Sequence, residues 1–245
     1  MLVKLYRDYA VVLRTHKLGE ADRIITVLTK GSGQVRAVGK GVRRVKSKLG
    51  ARLEPFSIID FQAYKGRNLD TFTQVVPIAE YGRQIAADYD LYTAGTVMVE
   101  AAEKMTVEGT PSPGHYQLLR GALHALAYRH HPRELIMNSY LLRALALSGW
   151  APSCWDCAIC GKAGPAEAFS ITAGGAVCGQ CRPPASVSLS EGEITLAAAL
   201  LTGNWKTAEA SSGAKRDKIG GLVAAYAQWH LERRLKSLAI LERGQ

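Results

Sequence analysis

No stretch of this 245-residue chain approaches the ~18 consecutive apolar residues of a membrane span, which argues against a membrane protein. The first twenty residues, MLVKLYRDYAVVLRTHKLGE, interleave charge with apolar positions. They hold no h-region, so no secretory signal is expected and the protein is expected in the cytoplasm. Catalytic signatures are missing too: there is no HExxH, no GxSxG and no dinucleotide fingerprint. Gly33 to Gly41 (GQVRAVGKG) has the look of a phosphate loop, but five residues separate its glycines instead of four. Gly41 also stands where a Ser or Thr would hold magnesium. None of His16, His115, His124, His130, His131 and His230 has a carboxylate partner at ligand spacing, and no acidic pair suggests a two-metal nuclease. The expectation is a protein that is not an enzyme and has no small-molecule substrate.

Acid is also scarce in the first third of the chain. Residues 1–80 hold 15 Lys/Arg against 7 Asp/Glu, whereas residues 81–245 hold 16 against 14. The overall charge of +10 therefore resides mainly in one segment, which is expected to meet a polyanion. The same segment reads as β-structure. Ala10–Thr15, Ile24–Thr29, Gln34–Val38, Phe56–Tyr64 and Asn68–Ile78 are short β-rich runs punctuated by Gly31, Gly33, Gly39, Gly41 and Gly66. Five strands in so few residues suggest a small barrel of the oligonucleotide-binding (OB) type, with an SH3-like barrel as the other candidate.

Between Lys40 and Arg52, six cations (Lys40, Arg43, Arg44, Lys46, Lys48 and Arg52) fall within 13 residues without one acid. In an OB barrel this is the connection after the third strand that can bear a helix. Such density neutralises phosphates and releases counterions, although a charge run can also be no more than a solvated face. Arg14, Arg36, Lys65 and Arg67 lie on neighbouring turns and strands as further candidates. Tyr6, Tyr9, Phe56, Phe61, Tyr64 and Phe72 could stack bases, but strand positions put half or more of them in the core.

From Tyr81 the period changes. Ile85 to Lys104, Tyr116 to Arg129, Arg133 to Leu147, Ser190 to Leu201 and Ala214 to Leu241 read as helices. Gly109–Gly114 (GTPSPG) is a breaker, and Ser190 with Glu193 matches a capping box. The fold class expected is multi-domain α+β. It comprises a barrel over 1–80, a helical bundle from 81–153 and 184–245, and a Cys-rich insertion over 154–183.

All five cysteines fall within that insertion as Cys154-x2-Cys157-x2-Cys160-x17-Cys178-x2-Cys181. Two C-x2-C turns at this separation point four thiolates at one ion in a closed tetrahedral shell, the pattern of one structural zinc ion. Gly161 after Cys160 and Gly179 after Cys178 favour tight turns at those sulfurs. The expected ligands are Cys157, Cys160, Cys178 and Cys181, with Cys154 spare. Disulfides fit neither the cytoplasm nor an odd count.

Several short motifs occur in a fixed order: Gly19–Asp22 (GEAD), Leu28-Thr-x3-Gly33, Lys40–Ser47 (KGVRRVKS) and Leu53–Phe56 (LEPF). They continue in Tyr140–Gly161 (YLLRALALSGWAPSCWDCAICG) and GG-x2-C-x2-C from Gly174 to Cys181. The series resembles the RecO family of bacterial DNA repair and recombination proteins, over nearly the whole chain. The resemblance implies an OB barrel, a helical body and a zinc-finger-like insertion. It implies binding of single- and double-stranded DNA, strand annealing, and loading of recombinase with RecR onto strands coated by single-strand-binding protein (SSB). It also implies a nucleoid-associated location, and it places DNA contacts at Lys40, Arg43, Arg44, Lys46 and Lys48. An RNA-binding or ribosome-associated zinc protein is the alternative that charge and cysteines alone leave open.

Overall fold

The computed structural model describes residues 4–44, 47, 49–164, 166–231 and 235–238. It divides into two compact units, Met1–Tyr128 and Arg129–Gln245. The first contains strands β1 (Leu5–Leu18), β2 (Asp22–Thr29), β3 (Gln34–Gly39), β4 (Ser57–Tyr64) and β5 (Asp70–Glu80), then helices α1 (Gly82–Ala86), α2 (Tyr89–Met105) and α3 (Pro113–Ala127). The strands close into a barrel of order β1-β2-β3-β5-β4. All pairings are antiparallel except β3 with β5, which is parallel. This is an OB-type barrel, and the change from strand to helix near residue 80 falls inside the first unit.

Closure depends on β1. Its first half, Leu5 to Val11, pairs with β4, and Ala10 to Leu18 pairs with β2, with a bulge between Val12 and Arg14. A bulge bends a strand sharply enough to serve two neighbours. The four-residue apolar run Ala10–Leu13 is buried throughout. Ala10 and Val12 face Ile25, Val27, Ile59, Phe61 and Phe72 in the barrel core. Val11 is covered from the opposite face, where α2 and α3 contact the strand. A strand covered on both sides loses the usual alternation, which is why this run is continuous.

The helix expected over 85–104 is broken at Asp88. Its carboxylate accepts from the amides of Asp90 (2.9 Å) and Leu91 (3.2 Å) and so caps a new helix, α2. Gly95, inside α2, lies against Phe56, whose ring would come 3.2 Å from an added Cβ. Phe56 itself takes a φ of +71°. Such a conformation costs ~1–3 kcal/mol in a non-glycine residue, and here it is held by burial and an edge-to-face contact with Tyr92 at 5.9 Å. The connection after β3, which can bear a helix, carries a 3-10 turn at Ala51–Leu53 among its described residues.

In the second unit α4 (Arg133–Leu147) packs against α5 (Glu191–Thr202) and α7 (Gly213–His230), and α6 (Trp205–Glu209) packs on α5. The Ser190–Glu193 capping box starts α5 as expected. Helix α6 has no counterpart among the helices expected from the sequence; it is five residues long, and His131 stacks on its Trp205 at 3.9 Å. Strands β6 (Ala168–Ser170), β7 (Gly175–Val177) and β8 (Val187–Ser188) form a small sheet of order β7-β6-β8. Among the described residues, no helix is long and apolar enough to cross a membrane.

The β2–β3 hairpin meets the loop between α2 and α3 at close quarters. Gly33 has a φ of +70°, and a Cβ there would lie 2.0 Å from the Thr110 carbonyl oxygen. Gly33→Ala is therefore expected to lower the unfolding free energy by ~2–4 kcal/mol. Urea denaturation should show the midpoint falling with little change of slope. A midpoint matching the wild type would contradict the close approach.

Candidate nucleic-acid interface and metal centre

Two of the ordered motifs are joined in space. The amide of Gly41 donates to the Asp22 carboxylate (2.7 Å), the amide of Arg43 to the Ala21 carbonyl (2.9 Å), and the Arg43 guanidinium to the Gly19 carbonyl (2.9 Å). Gly19 and Gly41 both take positive φ, at 55° and 67°. The β1–β2 turn thus clamps the start of the basic loop. Arg23 pairs with Glu54 at 2.5 Å, tying the end of that loop to β2. The segment is anchored at both ends.

The ten basic candidates fall into distinct situations. Lys40 and Arg44 in the loop, Arg36 on β3 and Arg67 on the β4–β5 turn are exposed. Among the described residues, no ion pair or hydrogen bond engages their side chains. Arg43 is exposed but holds the Gly19 carbonyl, and Lys65 lies 4.0 Å from Asp70. Arg14 is committed to Glu103 at 2.8 Å, and Arg52 to the Val75 carbonyl at 3.0 Å. Lys46 and Lys48 lie outside the described residues. Of the six aromatics, Phe56, Phe61 and Phe72 are core, Tyr6 is half-buried, and Tyr9 and Tyr64 are exposed.

A cleft of about 580 Å³ opens on this unit between β3, the start of β1, the β4–β5 turn and the α2–α3 loop. Arg36, Lys65 and Arg67 line it, joined by Lys4, Tyr6 and Asn68. The Tyr6 hydroxyl donates to the buried Asp70 carboxylate at 2.5 Å. Burial, with that hydrogen bond, raises the phenol's pKa well above its ordinary value. Sequence reasoning does not find Lys4, Asn68 or the loop residues at 108–111. The loop is legible only as a breaker, since nothing local marks it as a wall of a site 70 residues upstream.

In the second unit the sulfurs of Cys157, Cys160, Cys178 and Cys181 all lie within 4.8 Å of one another, a group that can hold a metal ion. Metal–sulfur bonds of ~2.3 Å in a tetrahedron set sulfurs ~3.8 Å apart, so the donor set fits with small adjustments. The amide of Gly161, at a φ of +70°, closes the first turn onto the Cys157 carbonyl at 2.8 Å. Gly179 is different: it keeps an ordinary φ, and its Cβ position faces the Glu167 carboxylate at 2.7 Å. Amides of Cys160, Cys178 and Ile159 donate to the Cys157 sulfur and hold its thiol down at about 6. Cys181, hydrogen-bonded to the sulfurs of Cys160 and Cys178, is pushed up to about 12. Four sulfurs this close cannot all ionise unaided, and a cation is what removes the repulsion. Cys154 stands outside the group, with burial pushing its thiol up to about 11.

The apolar cluster around these sulfurs is very small: Cys157, Ala168 and Val177 are its buried members. The turn at Cys157 is fastened to the sheet by backbone bonds from Ala158 to Ala176 and from Ala176 to Ser153, each 2.8 Å.

Comparison with known families accounts for both units. Residues 1–81 match the family model described as Recombination protein O N terminal. Residues 86–239 match Recombination protein O C terminal. Matched in order by both models over nearly its whole length, the chain belongs to the recombination protein O family of DNA recombination and repair.

Proposed function

We propose that the protein is a non-catalytic mediator of recombinational repair. It binds single- and double-stranded DNA through the basic face of its barrel unit and anneals complementary strands. With RecR, it helps recombinase onto SSB-coated strands. The observation that carries this reading is the set of exposed cations without partners among the described residues, Lys40, Arg44, Arg36 and Arg67, in a chain of this family. Unpaired guanidinium and ammonium groups are suited to phosphate, because no internal salt bridge has to break first. Arg14 and Arg52, having internal partners, support the barrel instead. The barrel over 1–80 supplies most of the DNA surface in this reading. The expected helical stretches 81–153 and 184–245 are shared between the two units: α1–α3 belong with the barrel and α4–α7 with the second unit, which also carries the insertion at 154–183.

The four cysteines hold one structural zinc ion. A full shell of thiolates has no open position, so bound zinc supplies cross-linking and no chemistry. Cys157 and Cys160 come from the first turn, Cys178 and Cys181 from the second. Together they join two segments whose own apolar cluster is too small to do so.

Annealing of complementary oligonucleotides is expected to proceed without ATP or added metal, and a requirement for nucleotide hydrolysis would sink the mediator reading. Lys40→Glu with Arg44→Glu flattens the dependence of log K on log salt by about 2, one unit for each phosphate that is no longer neutralised. An unchanged slope would put the DNA elsewhere. Arg43 is spared in this test because it also holds the β1–β2 turn. Cys157→Ser or Cys178→Ser lowers stability by about 3 kcal/mol or more and changes DNA affinity less than about threefold. Calorimetry and anisotropy on the same samples would show this, and equal loss of both would give the insertion a share in the DNA surface.

A further inference from the structure

The cleft on the barrel unit has features that a flat phosphate-binding surface does not need. Its volume of about 580 Å³ lies within the ~300–1,000 Å³ range of small-ligand sites. Four cations, Lys4, Arg36, Lys65 and Arg67, stand around it against two carboxylates, Asp70 and Glu108. Asp70 is turned inward, accepting from the Tyr6 hydroxyl at 2.5 Å and the Gly66 amide at 2.9 Å. The field in the cleft is therefore that of a positive rim around an aromatic wall. Asn68 adds an amide with both donor and acceptor capacity.

The walls are also fixed relative to one another. One is the β4–β5 turn, closed by the Gly66–Asp70 bond. The other is the α2–α3 loop, joined to β3 by backbone bonds from Gln34 to Val107 and from Gly109 to Gln34, each 3.2 Å. The Gln34 side chain reinforces that joint from within. A site built from the barrel together with a helix connection is more than an exposed sheet face with charges on it.

We propose that this cleft is a subsite for a single unpaired nucleotide of a DNA strand. Arg36 and Arg67 hold its phosphates, Tyr6 lies against the base, and Asn68 meets the base edge. The cleft has room for a nucleotide, and a base can enter between its walls only when it is unstacked and unpaired. It therefore discriminates single strand from duplex, while the loop carrying Lys40 and Arg44 serves both. Such a subsite would hold a base unpaired and exposed at its margin, which is the state in which a strand can test a complement. The proposal rests on the DNA-binding reading above.

The test uses the full chain carrying Arg36→Ala with Arg67→Ala. Both side chains are exposed, and thermal unfolding would verify that the fold is retained. Anisotropy titrations compare an oligo-dT strand with a duplex carrying the same number of phosphates, at matched salt concentrations over a range. The expected result is that the preference for single strand over duplex falls by about tenfold. Equal weakening of both would overturn the subsite and leave only a charged surface, and no weakening of either would overturn it as well. Asn68→Ala supplies an uncharged second variant. Loss of single-strand preference there, with an unchanged salt slope, is the expected signature of a base contact, and an unaltered preference would contradict one. Failure of the wild-type chain to bind either DNA would instead remove the DNA-binding reading itself.

Discussion

The carboxamide of Gln34 leaves the barrel at the first residue of β3 and ends among three oxygens at the C-terminal end of α2. Its nitrogen lies 2.6 Å from the Glu103 carbonyl and 2.8 Å from both the carbonyl and the hydroxyl of Thr106. The last carbonyls of a helix have no partner within it. When buried they must find one elsewhere or cost about 1–3 kcal/mol each. Gln34 meets that need with a side chain rooted in the sheet, and the joint is buried. Because α2 is held there, the chain leaving it runs alongside the β2–β3 hairpin, and Gly33 must be glycine to let it pass. The cleft, the covered face of β1 and the strained Phe56 against Gly95 all belong to the same arrangement of barrel and helices.

The second unit follows a different rule. Its helices are held by ordinary apolar packing, with Leu135, Leu141, Tyr140, Leu200 and Tyr226 buried. The segment carrying the cysteines has much less: Phe169 packs edge-to-face on Tyr226 at 5.6 Å, and the cluster around the sulfurs buries only Cys157, Ala168 and Val177. Hydrogen bonds fasten one turn to β7, but the four sulfurs are the only sizeable group drawing both turns together among the described residues. A metal ion held by them would contribute much stability for few residues and would leave the outside of the turn free. Trp155 and Ile159 are more than half exposed there.

Local patterns carry much of this in the sequence. Alternation and glycine punctuation locate all five barrel strands, and Arg133–Leu147 coincides with α4. The cysteine quartet is legible because a C-x2-C turn is itself a local geometry. The outer half of β1, Leu5 to Tyr9, does not read as strand because its side chains are half-buried or exposed and polar residues interrupt it. The break at Asp88 is hidden because a capping carboxylate inside an apolar period looks like any surface acid. Basic residues can be counted from sequence but not sorted. Whether Arg14 or Arg36 is available depends on whether Glu103, nearly 90 residues from Arg14, returns to meet it. The cleft is invisible for the same reason, since its walls come from four separate stretches of chain.

The central claim is that DNA lies on the barrel unit, over its unpartnered cations and into the cleft beside them. The direct measurement is photocrosslinking of the full chain to a single strand bearing 5-iodouracil at each position in turn, followed by mapping of the attached peptides. Crosslinks confined to residues 4–9, 36–44, 64–68 and 107–111 are predicted. Crosslinks concentrated between residues 129 and 231 would contradict the account.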